Sequence, residues 1–145
     1  MKAVIQRVRR TSLKVEGRLV SEIEGGLCVY LGVKAGDTDD MPAAMAKKIA
    51  ALRIFEDENG KMNLSVAQAG GQVLLVSQFT LYGDCSHGNR PSFTLAERPE
   101  RAEKLYLDTA EELKKYGLTV KTGVFGADMK IEQFNDGPVT IIYEI

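Results

Sequence analysis

Three patterns of apolar and polar positions divide the chain: alternation, continuous apolar runs and helical recurrence. Residues 1–10 and 12–23 read as strands, with a turn at Glu16-Gly17 and another at Gly25-Gly26. Leu27 to Val33 is short and continuously apolar, the pattern of a strand covered on both faces. Met41, Met45, Ile49 and Leu52 then fall at helical spacing and form one apolar stripe. Ahead of them, Asp37-Thr38-Asp39-Asp40 offers an N-cap and an acidic first turn in which Pro42 is tolerated. Asp57-Glu58-Asn59-Gly60 and Gly70-Gly71 are turn signals. Gln72–Thr80 follows as a strand, and Val73-Leu74-Leu75-Val76 makes it the best candidate for the centre of a sheet.

From Tyr82 to Ser92 the residues become small and polar, which predicts a long exposed loop of the kind that often carries function. A second helix runs from about 99 to 116 and buries Ala102, Leu105, Tyr106, Thr109, Leu113 and Tyr116. Glu100 and Glu103 near its start, and Lys114 and Lys115 near its end, complement the helix dipole, while Gly117 supplies the C-cap. Strands follow at 118–124, 129–134 and 138–144. No linker, repeat or low-complexity segment interrupts the 145 residues, so one strand-rich domain with two helices is expected over 1–145.

Composition excludes several classes. Hydrophobic residues at 44% and charged residues at 27% are ordinary for a globular domain, which rules out a disordered or fibrous chain. No apolar run approaches the roughly 20 residues of a membrane span. The start, Met1-Lys2-Ala3-Val4-Ile5-Gln6-Arg7, lacks the apolar core and cleavage pattern of a secretory signal, and the cytoplasm is the expected compartment. Nineteen Lys and Arg against 20 Asp and Glu leave a net charge of -1. A protein that grips a long duplex carries a basic excess, because each neutralised phosphate needs a cation. Any nucleic-acid contact is therefore expected to be local, at one end of the polymer. Two cysteines and one histidine are too few for a structural zinc site, and no metal or other cofactor is expected. Cys28, inside an apolar run, reads as a buried free thiol, and Cys85 lies in the polar loop.

The common catalytic motifs are missing. There is no phosphate-binding G-x-x-x-x-G-K-[ST] loop, no H-E-x-x-H and no paired C-x-x-C, and Gly32-Val33-Lys34-Ala35-Gly36 is not a dinucleotide fingerprint. Cys85 and His87 could form a thiol hydrolase, or be an unremarkable loop thiol beside a surface histidine. Two other segments invite chemistry. In Ser77-Gln78-Phe79-Thr80-Leu81-Tyr82-Gly83 an apolar strand abruptly turns polar, which suits either a hydrogen-bonding pocket or a strand that merely pairs through its polar end. Asn135-Asp136-Gly137-Pro138-Val139-Thr140 is either a plain turn into the last strand or a rigid corner that presents backbone carbonyls to a ligand.

With these two segments together, the chain closely resembles the D-aminoacyl-tRNA deacylases of the bacterial and eukaryotic type. Leu52-Arg53-Ile54-Phe55, Lys61-Met62-Asn63, Gly88-Asn89-Arg90-Pro91-Ser92-Phe93 and Gly123-Val124-Phe125-Gly126-Ala127-Asp128-Met129 extend the likeness along the whole chain. Cys85 and His87 fall outside it. The resemblance implies an α/β fold with a barrel-like, mostly antiparallel sheet and two main helices, assembled as a homodimer with two active sites at the subunit interface. It implies a hydrolase for the ester of D-aminoacyl-tRNA, with the acceptor end of tRNA as partner. Ser77, Gln78, Phe79 and Thr80 would form the catalytic segment, with backbone N–H groups near Phe79 as oxyanion donors. Thr80 could act as a nucleophile or only as a wall and hydrogen-bonding residue. Gly137 and Pro138, joined by a cis bond, would form a gate contributed by the other subunit. Their carbonyls would hold the α-ammonium of a D-aminoacyl group, an L side chain would collide with them, and glycyl esters would pass. Phe93 and Met129 would pack around the terminal adenosine or belong to the core. Arg7 and Lys2 could meet phosphates, but are expected at a solvated surface. The rival from another class is a non-enzymatic RNA-binding barrel that stacks bases on Phe79, Tyr82 and Phe93.

Overall fold

The computed structural model describes all 145 residues, Met1–Ile145. In chain order the elements are β1 (Lys2–Val15), β2 (Arg18–Ile23), β3 (Gly26–Gly32), α1 (Met41–Ala51), β4 (Phe55–Glu56), β5 (Met62–Leu64) and β6 (Gln72–Ser77), then α2 (Pro99–Lys114), β7 (Val120–Thr122) and β8 (Met129–Glu144). A 3-10 turn, Phe79–Tyr82, follows β6.

The sheet is organised around β1. Its first half pairs antiparallel with β3 (Lys2↔Gly32 to Val8↔Gly26), and its second half with β2 (Thr11↔Ile23 to Val15↔Arg18). Along its other edge it pairs antiparallel with β8, from Lys2↔Glu144 to Val15↔Met129. β3 and β6 are parallel, as are β6 and β7, so the sheet is mixed and ordered β2-β1-β3-β6-β7 with β8 on β1. Ser21 Oγ donates to the Thr122 carbonyl at 2.7 Å and Lys121 Nζ to the Glu22 carbonyl at 2.6 Å. These bonds draw β7 back towards β2, and the barrel nearly closes.

Both faces of β3 are covered, as its apolar run predicts. Leu27, Val29 and Leu31 join Ile5, Val73 and Leu75 in a core beneath the helices, where Met45, Ile49, Leu105 and Tyr106 pack. The intervening Cys28 points into a second cluster with Val8, Leu13, Ile23, Leu74 and Val76 inside the barrel. No helix is long and apolar enough to cross a membrane.

Several elements differ from expectation. The strand break placed between residues 10 and 12 is absent, because β1 runs unbroken through Thr11. What interrupts its alternation is a register shift against β8: Gln6 pairs with Thr140 but Val8 with Asn135, so residues 136–139 bulge out against Arg7 alone. For the same reason the two expected strands at 129–134 and 138–144 are one strand, β8. β6 ends at Ser77 rather than Thr80, since its partner β3 ends beside it at Gly32. β7 is confined to Val120–Thr122. Tyr116 lies beyond the end of α2 and is exposed, while Tyr82, expected in an exposed loop, is buried.

The acidic run before α1 behaves differently from a cap. Asp40 has helical backbone angles and makes no side-chain capping bond. Asp37 is buried instead: its Oδ2 lies 3.0 Å from the fully buried α-ammonium of Met1 and accepts the Lys34 N–H at 2.7 Å. The same ammonium donates to the Ile145 carbonyl at 2.9 Å, which ties both ends of the chain to the start of α1.

Candidate active site

The chemistry expected at residues 77–80 lies where a strand becomes a turn. The Gln78 N–H completes the ladder by donating to the Leu31 carbonyl at 2.8 Å, and the chain then winds into Phe79–Tyr82. The leading N–H groups of such a turn have no acceptor within it, so they are available to a ligand. Gln78 Nε2 donates to Thr80 Oγ1. Tyr82 anchors the far end, with its ring buried and Lys2 Nζ 4.8 Å from the ring centroid.

Ser77, Gln78 and Phe79 form one wall of a mainly apolar cavity of about 670 Å³, and Phe93 and Met129 also line it. Thr80 is next to the cavity and exposed, without lining it. Phe79 remains 58% exposed and Phe93 37%, with their rings edge to face at 5.0 Å. Two exposed rings at a cavity mouth suit stacking on a base.

Charges around the cavity are sparse. Glu97 is occupied: its Oε1 accepts the Arg98 N–H at 2.8 Å, and its Oε2 lies 3.7 Å from Arg101 Nε. Asp128 Oδ2 lies 3.0 Å from Lys130 Nζ. Arg98 also lines the cavity, and its guanidinium has no carboxylate within ion-pair distance. Tyr106 contributes a ring, and its hydroxyl donates to the Leu75 carbonyl at 2.8 Å; burial pushes that phenol up to about 12. Neither His87 nor Cys85 lines the cavity.

The Gly137–Pro138 turn is built elsewhere. Both residues are exposed, their peptide bond is cis, and neither lines this chain's cavity. Arg7 underlies the turn and is only 6% exposed, contrary to the solvated position expected for it. Its Nη1 donates to the Ile54 carbonyl at 2.8 Å, and its Nε to the Asp136 carbonyl at 3.2 Å. Lys2 is not free either, with Nζ 3.1 Å from Glu144 Oε2.

Residues 4–144 match the family described as D-Tyr-tRNA(Tyr) deacylase. The chain belongs to that family. It is 54% identical over 144 residues to a D-aminoacyl-tRNA deacylase of Desulfotalea psychrophila, covering 99% of this chain and 97% of the relative. A D-aminoacyl-tRNA deacylase of Koribacter versatilis is 56% identical over the same coverage of each chain. Among solved structures, one described as c-Myc DNA Unwinding Element Binding Protein superposes with a TM-score of 0.93 at 46% identity, over 100% of this chain and 99% of that one. A probable eukaryotic D-amino acid tRNA deacylase shares the fold at a TM-score of 0.83 and 17% identity, over 99% of this chain and 98% of that one.

Within this deacylase chain, the fold thus gathers Ser77, Gln78, Phe79, Phe93 and Met129 at one cavity, sets Thr80 beside it, and keeps Gly137 and Pro138 apart from it. Sequence reasoning missed Arg98 and Tyr106 as lining residues, and the buried anchor at Arg7. Tyr106 was legible only as a core position. Arg98, directly before Pro99, carried the signal of a helix start rather than of a cavity rim.

Proposed function

We propose that the cavity walled by Ser77, Gln78 and Phe79 is where this chain, a carboxylic ester hydrolase of the D-aminoacyl-tRNA deacylase family, cleaves its ester. The observation that carries the assignment is the strand-to-turn junction at the wall of an apolar cavity. An aminoacyl ester on ribose is already activated, so hydrolysis needs a placed water and donors for the oxyanion. Water oxygen adds to the ester carbonyl carbon, and backbone N–H groups near Phe79 stabilise the tetrahedral anion. The carbon–oxygen bond to the ribose then breaks, a proton passes to the departing ribose oxygen, and the products are a free D-amino acid and tRNA. The neighbouring ribose hydroxyl helps to orient the water. Thr80, which has no base beside it and accepts from Gln78, serves as a wall and hydrogen-bonding residue. Phe93 and Met129 pack against the terminal adenosine.

Chirality is sorted by Gly137 and Pro138 of a second copy of the chain. Their carbonyls receive the α-ammonium, and an L side chain in the same pose would meet the turn, whereas a glycyl ester has nothing to collide. Three features support the homodimer and its interface sites. The turn is exposed and separate from its own cavity, β8 leaves one edge unpaired, and Phe134 and Ile142 on β8 are 65% and 69% exposed. The cytoplasm, where charged tRNA is used, is the fitting compartment.

A non-enzymatic RNA-binding barrel could stack bases on the exposed Phe79 and Phe93 rings but not on Tyr82, which is buried, and the fate of the ester separates the two readings. Purified protein is incubated with one D-aminoacyl-tRNA and its L counterpart, and the surviving ester is counted. Loss of the D ester alone is the expected result. Survival of both esters with tight RNA binding would assign the barrel role instead.

A further inference from the structure

We propose that Gly83 and Gly123 are positioning residues for the ester pocket, seating Phe93 and Met129 against bare backbone. Neither glycine is needed for a left-handed conformation: Gly83 has φ -71° and ψ 122°, and Gly123 also lies outside the left-handed region. The missing side chain matters because of what occupies its place. A Cβ on Gly83 would lie 2.9 Å from Phe93 Cε1, and one on Gly123 would lie 2.6 Å from Met129 Sδ. Both distances are shorter than carbon contacts permit, so each lining side chain fills the volume that a methyl group would take.

Both glycines are also tied to the segment that carries residues 77–80. The Gly123 N–H donates to the Leu75 carbonyl at 3.0 Å, two residues before Ser77. The Gly83 N–H donates to the Thr80 carbonyl at 3.0 Å. Asp84 and Ser92 then exchange backbone hydrogen bonds of 2.8 and 2.9 Å, closing the loop that returns Phe93 to Gly83. Each lining side chain is thus referenced to the reacting segment through one glycine. A methyl at Gly83 drives the Phe93 ring away from its edge-to-face contact with Phe79. A methyl at Gly123 displaces the flexible Met129 thioether and presses on Leu13 Cδ1, 3.1 Å from the would-be Cβ, so it moves a pocket wall.

The inference rests on the reading that Phe93 and Met129 contact the terminal adenosine, and the experiment separates its failure from failure of that reading. Gly83→Ala, Gly123→Ala, Phe93→Leu, Met129→Ala and the pairs Gly83→Ala/Phe93→Leu and Gly123→Ala/Met129→Ala are compared by steady-state hydrolysis of one D-aminoacyl-tRNA. Binding of the non-hydrolysable 3′-amide of D-alanyl-adenosine is measured in parallel by calorimetry. Gly25→Ala is the control, since nothing lies within 4 Å of its would-be Cβ. Each glycine variant is expected to raise KM and probe Kd by roughly tenfold, the loss typical of one misplaced methylene. In the same variants kcat should change by less than about twofold, as for removal of uniform binding. Each double variant should match its Phe93 or Met129 single variant, because the displaced group has already been cut back. Additive losses, unchanged KM in both glycine variants, or a loss confined to kcat would overturn the proposal. If Gly83→Ala fails to fold, Gly123→Ala decides, since its close contacts are with the side chains of Met129 and Leu13, whereas a Cβ on Gly83 would also lie 3.1 Å from the Thr80 carbonyl oxygen. Wild-type protein that binds the probe in this pattern but leaves the ester intact would remove the hydrolytic reading and keep the positioning. Wild-type protein that hydrolyses the ester without binding the probe would show that the adenosine contact is absent, and the positioning falls.

Discussion

Arg7 holds Asp136 at two points: its Nε donates to the Asp136 carbonyl at 3.2 Å and lies 3.3 Å from the carboxylate Oδ2. Asp136 directly precedes Gly137, so a buried guanidinium on β1 sets the base of the proposed gate. Arg9, at 3.0 Å from Asp136 Oδ1, secures the carboxylate from the exposed side. Asp136 keeps Arg9 when Arg7 is removed, but the buried bond from Arg7 Nη1 to the Ile54 carbonyl is lost, and an unsatisfied buried acceptor costs about 1–3 kcal/mol. Arg7→Ala is therefore expected to lower the melting temperature and to reduce D-ester kcat/KM at least about tenfold. Arg7→Lys keeps the charge but loses the planar fork, and should fall between the two. Wild-type turnover in a folded Arg7→Ala variant would detach the turn from the reaction.

Arg7 also marks the limit of what the sequence made legible. A lone arginine in an alternating strand reads as solvent-facing. Its burial depends on the bulge at 136–139 and on the Ile54 carbonyl, partners distant in sequence that no local pattern announces. The continuous run Leu27–Val33 did announce a strand covered on both faces, and the apolar run Val73–Val76 did announce β6, although that strand stops at Ser77, three residues short of the expected Thr80. Polar Arg9-Arg10 imitated a strand break, and Gly137-Pro138 imitated a turn between two strands, because a bulge inside a long ladder looks locally like a boundary.

Cys85 and His87 stand outside the cavity, on the loop between Asp84 and Ser92. Cys85→Ala and His87→Ala should each leave D-ester kcat/KM within about twofold of wild type, as for surface changes away from the chemistry. The pH–rate profile of His87→Ala should superimpose on that of wild type between about pH 6 and 8, where an essential histidine would titrate. An inflection lost in this variant would restore the hydrolase built on these two residues.

Arg98 is the one cavity-lining cation, and it has no carboxylate partner. If the cavity receives the acceptor end as proposed, Arg98, unpaired beside it, is placed to meet a phosphate. Arg98→Ala should raise KM while sparing kcat. It should also reduce the slope of log kcat/KM against log salt by about 0.7, the share of one single-strand phosphate contact. For wild type the slope should remain well short of that given by roughly 6–10 contacts, in keeping with the net charge of -1. Unchanged KM and slope in the variant would place the phosphate contacts elsewhere.

Burial in the barrel pushes the Cys28 thiol up to about 11. The unfolded chain ionises this thiol near its ordinary value of about 8.5, while the folded chain keeps it protonated. The folded state thus binds more protons in that interval. Stability is unaffected by Cys28 below the unfolded pKa and falls as pH rises towards the folded one, by at most about 1.4 kcal/mol per pH unit. Cys28→Ala removes this contribution and should flatten the loss between pH 9 and 11 in urea titrations, although its midpoint at pH 7 falls because a small cavity opens. An alkaline slope identical to wild type would show that the thiol ionises in the folded state.

Gly137 tests the gate most directly. Its φ of +125° lies where side chains are rarely accommodated, and a Cβ there would come within 2.8 Å of the Val139 nitrogen and 2.9 Å of Val139 Cγ2. Gly137→Ala must therefore shift the turn, and both carbonyls proposed to hold the α-ammonium move with it. The residue is exposed and outside the core, so the fold should survive, with a loss of stability of about 1–3 kcal/mol. D-ester kcat/KM should fall by at least about tenfold, the cost of losing one charge-assisted contact in the transition state. Glycyl-ester turnover should fall with it, since that substrate uses the same ammonium contact and has no side chain to reject. The L ester gains nothing from a displaced acceptor, so the ratio of D to L turnover narrows from the D side. Stability, turnover of all three esters and circular dichroism of the same preparation separate a moved gate from a damaged fold. If the variant is folded and the D, L and glycyl rates all match wild type, the ammonium is held by some other part of the molecule.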